Sequence, residues 1–142
     1  MMIDSLEITD YHRNIILEKC KNSEEDKIII THGTDTMAQT ARFIGSYIKD
    51  KTIVLTGALI PYAFGSSDGL FNLGSALSFV QSLPKGVYVS MNGRYFHHDN
   101  VRKNKVTGEF EENQSINLQS WRKKFFFGFW LSIYHSNKST LK

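Results

Sequence analysis

Lys27-Ile28-Ile29-Ile30-Thr31-His32-Gly33-Thr34-Asp35-Thr36 is the stretch whose reading decides the fold. Three consecutive isoleucines show no polar alternation, which fits a strand buried on both faces, as in a parallel sheet. Two later runs repeat the pattern. Thr52-Ile53-Val54-Leu55-Thr56 stops at Gly57, and Gly86-Val87-Tyr88-Val89-Ser90-Met91 stops at Asn92-Gly93.

Helix-length segments separate these runs. A helix capped by Thr9 or Asp10 and running to about residue 21 would turn Tyr11, Ile15, Ile16 and Cys20 to one face. A second, from 36 to about 47, would bury Met37, Thr40, Ala41 and Ile44; a third, from 69 to about 82, would bury Phe71, Leu73, Leu77 and Val80 before Pro84 stops it. The alternation predicts a three-layer, doubly wound α/β sheet, mostly parallel and built by right-handed crossovers. Residues 94 to 110 are polar and rich in turn formers, and read as a loop or irregular hairpin.

Length and charge narrow the function classes. The chain has 142 residues, 41% hydrophobic and 22% charged, which is ordinary globular composition. Its formal charge of +3 is unevenly spread. Residues 113–142 hold Arg122, Lys123, Lys124, Lys138, Lys142 and no acid, so the rest of the chain, with 12 basic and 14 acidic side chains, is slightly negative. That body shows no footprint for nucleic acid. Residues 1–112 are therefore expected to form the α/β domain, with 113–142 a basic and aromatic extension. The apolar stretch from Phe125 to Ile133 is far shorter than the ~20 residues a membrane span needs, so no membrane partner is expected. The single cysteine, Cys20, excludes an internal disulfide and any multi-thiolate zinc site, and with no signal-peptide pattern at Met1 the expected location is cytoplasmic.

In an open α/β sheet the ligand lies beyond the carboxyl ends of the strands. Small and hydroxyl residues gather at all three: His32-Gly33-Thr34-Asp35-Thr36, then Gly57-Ala58 with Ser66-Ser67-Asp68-Gly69, then Ser90-Met91-Asn92-Gly93. One of Thr34, Asp35 and Thr36 is expected to cap the following helix. His32 reads as a packed, hydrogen-bonded residue rather than a base. Adjacent His97 and His98 in an extended segment should point to opposite faces, so no metal is expected there. Gly65-Ser66-Ser67-Asp68-Gly69 lacks the spacing and lysine of a phosphate loop, which leaves a nucleotide-binding module with fold analogy alone.

The sequence resembles the bacterial L-asparaginase family. The resemblance rests on Thr31-His32-Gly33-Thr34-Asp35-Thr36-Met37, on Leu55-Thr56-Gly57-Ala58 with Pro61, on Ser67-Asp68-Gly69 with Asn72-Leu73, on 86 to 92, and on Val101-Arg102-Lys103. It covers about residues 4 to 112 and implies a flavodoxin-like sheet and hydrolysis of L-asparagine to L-aspartate and ammonia without a cofactor. It further implies that Thr34, Asp35 and Lys103 form a catalytic Thr-Lys-Asp group. Asp35 would also bind the substrate α-ammonium and Ser5 the α-carboxylate, with Gly33 and Ala58 lining the amide site. An amide carbonyl needs an activated nucleophile, and a threonine hydroxyl becomes one when a neighbouring base takes its proton. Backbone N–H groups at such a site stabilise the oxyanion by ~3–4 kcal/mol per donor.

Two departures are visible. Leu6 follows Ser5 where relatives carry a polar residue, and the family's Gly-rich TGGTI-type loop with its first catalytic threonine has no counterpart in these residues. The expectation is a sheet truncated at its N-terminal side with weak turnover; the alternative is a remnant or amino-acid-binding module. An uncovered sheet edge and the aromatic segment also leave a homo-oligomer open.

Overall fold

A computed structural model describes residues 4–60 and 65–113. The aromatic extension, from 114 onward, lies outside the described residues, as does Pro61. The described chain opens with a 3-10 turn at Ser5–Glu7 and continues through α1 (Asp10–Asn22), β1 (Lys27–Thr31), α2 (Met37–Tyr47), β2 (Thr52–Thr56), α3 (Gly69–Ser82), β3 (Gly86–Met91) and β4 (Arg94–His97). A small hairpin of β5 (Arg102–Lys103) and β6 (Phe110–Glu111) closes it.

The three apolar runs form the three parallel strands. Sheet order is β1-β2-β3-β4, with β1 and β2 in register Lys27 to Thr52 and β2 and β3 in register Thr52 to Gly86. Strand β4 returns antiparallel to β3 through Asn92-Gly93, both at positive φ. This is the signature of a two-residue primed turn, whose twist matches that of the flanking strands. The first part of the expected loop is therefore a regular hairpin.

Helices cover both faces, as expected. On one face α1 and α2 pack Leu17, Cys20, Met37, Ala41 and Ile44 against the inner residues of β2 and β3; on the other, α3 packs Ala76 and Val80 against Val54 and Tyr88. Helix α2 buries Met37, Thr40, Ala41 and Ile44, as its spacing predicts.

The other two helices turn differently from expectation. In α1 the buried residues are Arg13, Leu17 and Cys20, while Tyr11 is 71% exposed. Arg13 decides the rotation. Its guanidinium donates to Asp10 Oδ1 (2.7 Å), Gln39 Oε1 (3.2 Å) and the Ile8 carbonyl (3.3 Å), tying α1 to α2 through a polar pin. In α3 the sheet-facing residues are Asn72, Ala76 and, as expected, Val80, whereas Phe71 and Leu77 are more than half exposed and Leu73 is 40% exposed. The smaller side chains let the helix lie close to β2, and Asn72 is held by hydrogen bonds that an apolar residue could not make.

Candidate active site at the strand tips

The site is assembled from three chain segments. The turn after β1 supplies Thr34 and Asp35, the β5–β6 hairpin supplies Lys103, and the 3-10 turn supplies Ser5. Close approach of the first and last requires Gly33, since a Cβ there would lie 2.5 Å from the Ser5 Cβ. Thr36 fastens the same contact by donating its hydroxyl to the Ser5 carbonyl at 2.6 Å.

Lys103 is carried across the molecule by buried neighbours. Val101 and Phe110 insert into the core from either side of the hairpin, and Arg102 pairs with Glu111 at 2.7 Å. These anchors aim the Lys103 ammonium at the β1 turn. Its Nζ donates to Thr34 Oγ1 at 2.9 Å and to Asp35 Oδ1 at 2.7 Å. The Ser5 hydroxyl lies 3.5 Å from Asp35 Oδ2, so both oxygens of that carboxylate face polar partners. Thr34 is buried, and the Asp35 side chain is 48% exposed at the mouth of the cleft. A hydroxyl, an ammonium and a carboxylate in contact can move a proton and hold an ionic ligand.

None of Thr34, Asp35 and Thr36 uses its side chain to cap α2, contrary to expectation. Thr36 occupies the N-cap position but bonds to Ser5, and Thr34 and Asp35 bond to Lys103. The polar cluster takes the hydrogen bonds that capping would have used.

The far wall depends on residues that the sequence marked only as matching positions. Asp68 accepts from the N–H groups of Leu59 (3.1 Å) and Ile60 (2.9 Å), which shapes the turn after Ala58. Burial works against the Asp68 carboxylate, yet these two N–H groups and the Asn72 amide outweigh it and hold its pKa below the ordinary value. Asn72, fully buried, donates to the Gly57 carbonyl (2.9 Å) and to Asp68 (2.8 Å), and accepts from the Asn92 N–H (2.9 Å). One side chain thus joins the β2 tip, the head of α3 and the β3–β4 turn. An acidic residue four before an amide at a helix start was the available signal.

His32 is buried with its Nδ1 2.7 Å from the Gly33 carbonyl. Burial lowers its pKa, the Gly33 carbonyl raises it and Arg13 lowers it further. His98, packed beside Gly45, is likewise lowered, first by burial. Folded imidazoles that resist protonation make stability fall as pH drops below the ordinary value near 6.5, because the unfolded chain then binds more protons. The urea midpoint is therefore expected to decrease between pH 8 and pH 5, and His32→Gln should flatten part of that decrease.

The rings of His97 and His98 do not diverge as an extended segment requires. Strand β4 ends at His97, and the ring centroids lie 4.4 Å apart. His97 bonds instead to Asp99 at 2.6 Å, and no group of three or more metal-ligating side chains occurs among the described residues. Among the described residues, no helix is long and apolar enough to cross a membrane.

Beside the cluster, a groove of about 900 Å³ runs between α1 and the outer edge of β1. Ala58, Gly33 and Asp4 mark the end nearest the cluster, while Lys19, Cys20 and Ser23 lie along α1 and its C-terminus. Leu6, the residue after Ser5, is 73% exposed.

A mostly parallel sheet with helices on both faces and a Thr34-Lys103-Asp35 cluster at its strand tips defines an α/β domain with a polar cleft where such folds hold their ligands. Comparison with known proteins narrows the class. A family profile described as the asparaginase N-terminal domain matches residues 1–125. L-asparaginase 2 of Escherichia coli is 38% identical over 107 residues, which cover 69% of this chain and 31% of that protein. The probable periplasmic L-asparaginase of Haemophilus influenzae is 39% identical over 93 residues, covering 63% of this chain and 26% of the relative. The thermostable L-asparaginase from Thermococcus kodakarensis superposes with a TM-score of 0.72 at 29% identity, over 79% of this chain and 36% of that one. The chain belongs to the asparaginase family. It spans between about a quarter and just over a third of the length of these relatives.

Proposed function

We propose that the cleft binds L-asparagine or a close relative and hydrolyses its side-chain amide to a carboxylate and ammonia. The observation that carries this reading is the Lys103 Nζ held at 2.9 Å from the Thr34 hydroxyl and 2.7 Å from Asp35. Lys103 in its amine form takes the hydroxyl proton as Thr34 Oγ1 attacks the carboxamide carbon. The C–N bond then breaks, ammonia leaves with that proton, and water releases the acyl group as a carboxylate. Asp35 holds the substrate α-ammonium at the mouth, and Ser5 the α-carboxylate. Backbone N–H groups near Gly33 and Ala58 face the developing oxyanion. No cofactor takes part in this scheme.

The test is ammonia release from L-asparagine. Thr34→Val is expected to lower the rate at least about 100-fold, because members of a proton-transfer group act as a unit. A rate unchanged in Thr34→Val would remove Thr34 from the chemistry, and no release by the native chain would end the hydrolytic reading. A second reading, an amino-acid-binding module without turnover, draws on the adjacency of Ser5 and Asp35 alone. It predicts saturable binding of L-aspartate with no ammonia.

A further inference from the structure

The hairpin that carries Lys103 is short. Arg102 pairs with Glu111 and Lys103 with Phe110, antiparallel. Neighbouring residues of a strand point to opposite faces. Phe110 is buried in the core, so Lys103 shares the face turned to the domain, while Arg102 and Glu111 share the outer one. A slip of one residue would exchange the faces and send Lys103 outward. A two-stranded ladder of this length is marginal by itself, so its register depends on its side chains.

Glu111 holds that register from the outer face. Its Oε1 lies 2.7 Å from Nη2 of Arg102, and its Oε2 accepts from Nδ2 of Asn104 at 3.3 Å. Arg102 and Asn104 are the residues on either side of Lys103. One carboxylate therefore grips both neighbours of the lysine from across the hairpin. Asn104 is itself fixed at the hairpin tip. Its side-chain oxygen accepts from the N–H groups of Val106 (2.9 Å) and Thr107 (3.3 Å). Its own N–H donates to the Glu109 carbonyl (2.7 Å), and its carbonyl accepts from Gly108 (2.8 Å).

The Arg102 side chain is 59% exposed and that of Glu111 36%, so their ion pair adds little to global stability. Val101 and Phe110 already anchor the hairpin in the core. Those apolar contacts leave open the twist of the backbone between them, which sets where the Lys103 ammonium arrives. A displacement of ~1 Å at a reacting group is enough to lose most of its contribution.

We propose that Glu111 is a positioning residue for Lys103. Acting through Arg102 and Asn104, on the face of the hairpin away from the cleft, it directs the ammonium onto Thr34 and Asp35. The kinetic consequence rests on the hydrolytic reading above; the placement of the lysine does not.

Nuclear Overhauser contacts between the Lys103 ε-methylene and the Thr34 side chain, measured on the full chain without substrate, test this. The native protein should show them. Glu111→Gln keeps the shape but offers one acceptor oxygen to two donors, so it should weaken them. Glu111→Ala should abolish them. In both variants the core contacts of Val101 and Phe110, and the urea midpoint, should stay at native values. In ammonia release from L-asparagine, Glu111→Ala should lower kcat about tenfold with a smaller change in KM. Native-strength contacts between Lys103 and Thr34 in Glu111→Ala would overturn the proposal. Their loss together with the Phe110 contacts or the urea midpoint would also overturn it, because Glu111 would then only hold the hairpin to the domain. A native chain that releases no ammonia would end the hydrolytic reading, and the Overhauser contacts would still decide the role of Glu111.

Discussion

Replacing Gly57 with alanine is expected to cost the fold about 3 kcal/mol or more. A Cβ at this position would sit 2.2 Å from the His32 carbonyl oxygen and 2.9 Å from the Met37 Cε. The methionine end can move, but the carbonyl belongs to the backbone at the end of β1. It follows the residue pair Thr31 to Thr56 and the hydrogen bond from the His32 N–H to the Thr56 carbonyl at 2.8 Å. Relief therefore means parting β1 from β2 at the strand tips, where Thr34 and Ala58 face the cleft. The urea midpoint reports the loss. A midpoint within experimental error of the native chain would show that the β1–β2 tips are not packed as described.

Asn72→Ala should be of similar size, about 3–5 kcal/mol. The substitution removes the partner of the Gly57 carbonyl, one partner of the Asp68 carboxylate and the acceptor of the Asn92 N–H, all at a fully buried position. Each buried polar group left unmatched costs about 1–3 kcal/mol, and the deleted side chain leaves a void as well. Asn72→Asp keeps the acceptor for Asn92 but places a second carboxylate against Asp68, so it should be at least as damaging at neutral pH. Its deficit relative to Asn72→Ala should shrink as pH falls toward the carboxylate range, which a pair of thermal-melting series at pH 7 and pH 4 would read.

Much of this architecture was legible from residues. The isoleucine run from Lys27 to Thr31 and its two counterparts mark β1, β2 and β3, because β-branched stretches closed by Gly or Asn-Gly have few other uses. Helix limits were equally plain, with Pro84 soon after α3. The faces of α1 and α3 were not legible, because apolar spacing sends the largest side chains inward. Here Arg13 and Asn72, two polar pins, set the rotation, and Phe71, Leu73 and Leu77 remain outside. The β3–β4 hairpin carried its signal in Asn92-Gly93, hidden by the polar residues after it.

The candidate site was legible in part. His32 to Thr36 stands out as an unusual strand end, but Lys103 lies 69 residues beyond Thr34 in sequence. No periodicity brings those two together. Their contact depends on Val101 and Phe110 folding the small hairpin back into the core, a tertiary effect that only the family resemblance anticipated. Asp68 and Asn72 match the family pattern but show no role in sequence, since a buried amide reveals its partners only when three separate loops are in place.

Calorimetric titration with L-aspartate tests the cleft most directly, because it reads recognition apart from turnover. The native chain should give a saturable heat, Asp35→Ala should abolish it, and Lys103→Met should weaken it while leaving the urea midpoint nearly unchanged. A flat titration of the native, folded chain would contradict a cleft built from Ser5, Thr34, Asp35 and Lys103 to hold an amino acid, as would a heat that survives Asp35→Ala intact.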